Sequence, residues 1–209
     1  MDYKVDIVMC IDVTGSMQDC IDTVKSRALQ FWPDLQDALK AASKNVSDVR
    51  VKVIAFRDFE ADGANALQES RYFNLSDQGS SDPEEYKQFV SGLVADGGGD
   101  EPENALEALT LAIQSDWVQT GDKRRHVIVM FTDASAHKLE NANRSNPNYP
   151  QNMPGRLDSL RRTSPSIFWI EQLCPYLGSL KPSTLKSSMW IGKEESHSSP
   201  RITSVVRIK

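Results

Sequence analysis

The chain has 209 residues, 39% hydrophobic and 25% charged, the balance of an ordinary globular domain with a sizeable core. Its net charge of −5 and the lack of a long basic block argue against a nucleic-acid partner, since little in the sequence would neutralise a run of phosphates. No stretch approaches the ~20 apolar residues of a membrane span, the start lacks a secretory n-region, and three cysteines show no paired spacing, so a cytoplasmic location without membrane contact is expected.

Residues 5–11 form an apolar run interrupted only by Asp6, which predicts a strand covered on both faces. A helix is expected next, because Met17, Ile21, Val24, Ala28, Trp32, Leu35 and Leu39 recur at steps of three and four. Pro33 is expected to kink or break that helix near Trp32. Val49, Val51, Val53 and Ala55 predict a second strand over residues 49–56. A short strand is expected over residues 71–75 and a polar loop over residues 76–82. Residues 83–94 read as a helix with Asp82 as N-cap and Pro83 at its first position. Gly97, Gly98 and Gly99 then make a loop with wide conformational freedom. Pro102 and Glu103 open a further helix with Leu106, Leu109 and Ile113 on its apolar face. Lys123, Arg124 and Arg125 read as a solvated turn before a third buried strand, residues 127–131, which ends in Thr132 and Asp133.

Strands alternating with amphipathic helices predict an α/β fold, Rossmann-like and doubly wound, with a mostly parallel sheet and helices on both faces. Beyond residue 162 Ser, Lys and Pro dominate and both periodicities fade. Residues 1–162 are therefore expected to form the domain and residues 163–209 an irregular tail, with residues 202–208 the one further strand candidate. On this reading the sheet is incomplete at its C-terminal side.

Asp12, Thr14 and Ser16 stand two apart directly after the first strand. The carboxyl end of a strand is where an open α/β sheet binds ligands. A carboxylate with two hydroxyls suits a small hard cation and equally suits phosphate chemistry. Asp100 follows the triple glycine, and Asp133 ends a later strand. This set resembles the von Willebrand factor A (vWA) domain with its metal-ion-dependent adhesion site. Asp12-Val13-Thr14-Gly15-Ser16 is similar to the family's Asp-x-Ser-Gly-Ser motif, and Asp133 matches its strand-ending aspartate. Asp100 departs from the pattern, standing where the family usually supplies a threonine. The Gly-Gly-Gly-Asp-x-Pro-Glu form at residues 97–103 resembles stand-alone bacterial vWA proteins and the vWA domains of atypical kinases.

The resemblance covers residues 4–162. It implies a non-enzymatic protein–protein interaction domain in which Asp12, Thr14, Ser16, Asp100 and Asp133 hold Mg²⁺ or Mn²⁺. One position on the cation is then left for a carboxylate from a protein partner. Neutral hydroxyl ligands leave the cation electrophilic, whereas Asp100 as a third carboxylate weakens its pull on the partner.

Other readings of the same residues are open at this stage. Thr14 and Ser16 suit a helix start, Asp100 suits a cap before Pro102, Asp133 suits a turn, and His137 suits the surface near the rim. The three histidines do not pair at metal spacing, which argues against zinc. The triple glycine lacks dinucleotide-binding spacing and follows a helix. An enzymatic alternative is a Mg²⁺-dependent phosphatase of the haloacid-dehalogenase type with Asp12 as nucleophile. Against it, the acidic glycine segment follows a helical pattern, and Thr14 stands where many such phosphatases carry a second aspartate. A third alternative is a degenerate vWA scaffold that binds no metal.

Overall fold

The apolar run near the N-terminus forms β1 (Tyr3–Asp12), the central strand, with its residues from Val5 onward all buried. Ile7, Met9 and Ile11 belong to one apolar layer with Val51 and Val53. Val8 and Cys10 belong to the other, with Ile54, Phe56 and Ile128. A strand covered on both faces needs no polar alternation, which is why the run is continuous. The computed structural model describes residues 2–41, 43, 45–77, 79–99, 102–139, 146–150, 153 and 167–168.

β1 pairs in parallel with β2 (Asp48–Phe56) on one side and with β5 (Lys123–Phe131) on the other. β3 (Leu67–Glu69) and β4 (Phe73–Asn74) add antiparallel to β2, and β6 (Ile167–Phe168) adds parallel to β5. The sheet order is β3-β2-β1-β5-β6, with β4 also on β2. α1 (Ile21–Ala41) and α3 (Asp82–Gly92) cover one face through Ile21, Val24, Ala28, Tyr86 and Val90. α4 (Ala105–Ile113) covers the other through Ala105, Ala108, Leu109 and Ala112. The short α2 (Phe59–Asp62) seats Phe59 against Ala66, Tyr149 and Met153. The fold is thus α/β, with a mostly parallel sheet between helices. Among the described residues no helix is long and apolar enough to cross a membrane.

Asp6, the one charge in the β1 run, is buried and has a structural partner. Arg50, its register neighbour on β2, donates to both carboxylate oxygens at 2.9 and 2.6 Å, and the Val118 N–H donates at 2.6 Å. A buried carboxylate is tolerable when it is paired and hydrogen-bonded in this way.

Several elements differ from the sequence expectation. A 3-10 turn, Gly15–Asp19, precedes α1, anchored by the buried Met17. α1 runs through Pro33 without ending; that residue is exposed, so water can serve the carbonyl that proline leaves without a donor. Asp82 is the first residue of α3 rather than its cap, and its carboxylate instead accepts from the Asn74 N–H and from Arg71. Lys123, Arg124 and Arg125 are not a turn but the first residues of β5, paired with residues 3–5 of β1. The expected strand over residues 71–75 is reduced to β4, while α2 and β3 were not anticipated. Glu103 and Pro102 do not open α4, which begins at Ala105; Glu103 forms a parallel bridge to Ala136. Residues 202–208 and most of the expected tail lie outside the described residues.

Candidate metal centre

β1 lies between β2, which follows it in the chain, and β5, which the chain reaches after turning back. That reversal makes the carboxyl end of β1 a switch point, where loops diverge and leave a crevice. Asp12 ends β1, and Thr132 and Asp133 follow β5, so topology alone brings the first and last motifs together.

Asp12 is fully buried and both its oxygens accept hydrogen bonds. Oδ1 accepts from the Thr14 N–H at 3.0 Å and the Thr14 hydroxyl at 2.7 Å. Oδ2 accepts from the Thr132 hydroxyl at 2.7 Å. The Ser16 hydroxyl donates to Asp133 Oδ1 at 3.1 Å, and Thr14 Oγ1 lies 3.0 Å from Ser16 Oγ. Thr14 occupies the N-cap position of the 3-10 turn but makes no side-chain cap bond, so capping does not account for its hydroxyl. Burial raises the Asp12 pKa and nearby Asp133 adds to the rise, while hydrogen bonds from Thr14 and Thr132 oppose it.

The glycine loop closes over this row. The Gly15 N–H donates to Gly97 O at 2.9 Å and the Asp96 N–H to Val13 O at 3.0 Å. Gly97 and Gly98 have φ of +68° and +73°, backbone that side-chain-bearing residues rarely adopt. A Cβ at Gly98 would lie 2.9 Å from Thr14 and 3.0 Å from Glu103 Oε1, and one at Gly97 would collide with the Asp62 carboxylate. Asp62 is itself fixed by accepting from the Gly98 N–H at 2.8 Å. We expect Gly97→Ala to destabilise the fold by about 1–3 kcal/mol. Urea denaturation checks this, and an unchanged midpoint would contradict the close approach.

Three residues that the sequence did not place at the centre complete the surroundings. Arg57, directly after β2, donates to four carbonyls: Val13 at 3.1 Å, Asp96 at 2.6 Å, Asn65 at 2.8 Å and Val94 at 2.9 Å. Asp58 is buried, with His137 Nε2 at 3.2 Å from its Oδ2. His137 is therefore tied to an acidic group rather than a bare surface residue. Glu103 is only 4% exposed, and among the described residues its Oε2 has no hydrogen-bond partner. Burial pushes its carboxyl up to about 8, with Asp12, Asp58, Asp62 and Asp133 adding to the rise. Position gave a hint of Arg57 and Asp58, since they sit at the carboxyl end of a core strand.

Of the residues expected to hold a cation, the fold gathers Asp12, Thr14, Ser16 and Asp133, while Asp100 lies outside the described residues. Among the described residues no three His, Cys, Asp or Glu side chains gather closely enough to hold a metal by themselves, so hydroxyl oxygens are needed. The donor set fits a hard cation. Octahedral Mg²⁺–oxygen distances put neighbouring ligand atoms about 3 Å apart. The steps from Thr14 Oγ1 to Ser16 Oγ and on to Asp133 Oδ1, 3.0 and 3.1 Å, match that edge.

Residues 76–146 match the family model described as the von Willebrand factor A domain. That span includes the glycine loop, α4, β5 and Asp133, and stops short of the β1 motif. With the α/β fold described above, this match makes residues 76–146 similar to the vWA domain family. Over 136 residues the chain is 28% identical to the alpha-protein kinase vwkA of Dictyostelium discoideum, covering 65% of this chain and 19% of that protein. Two crystal structures of the pilus adhesin SpaC from Lactobacillus rhamnosus GG, one in an open conformation, align with a TM-score of 0.46. They share 19% and 18% identity, over 63% of this chain and 15% of the adhesin. The chain thus spans less than a fifth of the adhesin and about a fifth of the kinase.

Proposed function

We propose that this vWA domain is a non-enzymatic interaction module that holds Mg²⁺ or Mn²⁺ and recruits an acidic residue of a protein partner through it. The proton count at the row of oxygens carries this reading. Thr14 and Ser16 own one hydroxyl proton each, and these are directed at Asp12 and Asp133. The remaining Thr14–Ser16 contact at 3.0 Å then sets lone pair against lone pair unless a proton is shared. A cation beside the two oxygens resolves that conflict and keeps both carboxylate bonds.

In this arrangement Thr14, Ser16 and Asp133 are the direct oxygen donors. Asp12 sits behind them, supplying negative charge and orienting Thr14. The cation, when bound, supplies a Lewis-acid position for a partner carboxylate. Ser16 is exposed and Asp133 half-buried, so that side of the centre faces solvent and a partner can approach it.

The burial of Asp12 speaks against the phosphatase alternative. An aspartyl nucleophile must present a free oxygen to phosphorus. Here Oδ1 and Oδ2 are both engaged, and the carboxylate has no exposed surface.

Titration calorimetry with Mg²⁺ and Mn²⁺ on the full chain tests the proposal. The wild type is expected to bind and Asp12→Ala to lose measurable binding. Equal behaviour of the two would refute the metal centre. For the partner, an acidic protein co-purifying in Mg²⁺ and lost in EDTA is the expected result.

A further inference from the structure

Glu103 is out of place for a residue of its kind. Its side chain is buried beside the crevice, one carboxylate oxygen has no partner among the described residues, and Asp12, Asp58, Asp62 and Asp133 are the charges acting on it. Burying a carboxylate costs several kcal/mol unless a counter-charge or donors compensate. Arg57 spends its donors on carbonyls, and His137 faces Asp58.

Nor is Glu103 there by slack in the chain. Its N–H donates to Ser135 O at 2.9 Å and its carbonyl accepts from the His137 N–H at 2.9 Å. These two bonds fix its backbone to the segment that carries Asp133. Its Oε1 and the Thr14 side chain both border the space that a Cβ on Gly98 would fill. The glycine at that position leaves room for the Glu103 carboxylate and the methyl side of Thr14 beside the loop backbone.

We propose that Glu103 is the outer carboxylate of the cation centre, a positioning residue whose unpaired oxygen accepts a hydrogen bond from a cation-bound water. The inference rests on the metal reading given above and gives a role to a residue to which the resemblance assigned none. Mg²⁺ keeps several of its waters in protein sites, and such waters need acceptors. Conversely, the water gives Glu103 Oε2 the donor that it lacks among the described residues. At 4% exposure Glu103 has almost no surface to offer a partner, so its effect is on cation affinity and not on partner contact.

The test compares the full-length wild type with Glu103→Gln by calorimetry, using Mg²⁺ and Mn²⁺ alone, and by thermal melting in EDTA. Affinity is expected to fall roughly 10- to 100-fold, as for other groups that orient metal-bound ligands. The melting temperature in EDTA, taken at pH 9 where the buried carboxyl is ionised, is expected to hold or rise, because an uncompensated charge has been removed; a purely structural role would lower it. Glu103→Asp keeps the charge but pulls it back, and intermediate affinity is expected. Wild-type binding matched within twofold by both variants overturns the role of Glu103 alone. No binding by the wild type overturns the metal reading and this inference with it.

Discussion

Arg57→Ala is expected to destabilise the protein by about 3–4 kcal/mol and to free the glycine loop before the rest of the domain unfolds. One guanidinium bridges three segments: Val13 after β1, Asn65 after α2, and Val94 and Asp96 in the loop after α3. Hydrogen bonds from a charged donor contribute roughly 1.5–3 kcal/mol each. Four of them would exceed the expected loss, but water reaching the half-exposed side chain restores part of it. Arg57→Lys is expected to recover little, since an ammonium on a flexible stem cannot span carbonyls in several directions. Hydrogen exchange reads the local effect. The Gly15 and Asp96 amides, bonded to Gly97 O and Val13 O, should lose protection in the variant well ahead of β1 amides. Wild-type protection at those two amides would show that the loop does not depend on Arg57. Because Gly98 packs against Thr14, a released loop should also weaken cation binding.

That dependence explains what the sequence could and could not disclose. Buried strands and long amphipathic helices are local patterns, so β1, β2, β5, α1 and α3 were legible within a few residues. That Asp12, Thr14, Ser16 and Asp133 meet at one end of the sheet was legible because each lies at the end of a readable strand. β3 and β4 were harder: at three and two residues they take their conformation from pairing with β2 and leave no period of their own. Lys123–Arg125 look like a turn by charge but are drawn into β5 by their pairing with β1. Arg57 was invisible for another reason. Its partners are backbone carbonyls, which carry no residue identity, so no motif marks them. Glu103 after Pro102 has the composition of a helix start, and only its bridge to Ala136 turns it toward the crevice instead. Asp100, the departure from the family pattern, remains a sequence-level proposal.

The stability of the protein in EDTA is expected to fall as pH rises from about 4.5 to about 8, with Glu103 as the principal cause. Unfolded, this carboxyl titrates at its ordinary value of 4.5; folded, burial and four neighbouring acids push it up to about 8. The folded state therefore binds more protons than the unfolded state across this window. Under linkage, stability is greatest below the unfolded value and is lost as pH climbs through the folded one. At about 1.4 kcal/mol per pH unit the loss cannot exceed about 5 kcal/mol, and screening by water in the crevice should leave about half of that. Glu103→Gln has no proton to lose, so its urea midpoint should vary much less with pH and should exceed the wild type's at pH 8. Mg²⁺ should have a related effect by another route, since a cation bound only to the folded state stabilises it and lowers the carboxyl pKa. Unfolding curves at pH 5 and pH 8, with and without Mg²⁺, separate the effects. An EDTA-treated wild type equally stable at both pH values, or a Gln variant that retains the full slope, would remove Glu103 from this account. A steep slope in EDTA that flattens both in Mg²⁺ and in the variant would place the charge deficit of the crevice at this one carboxylate.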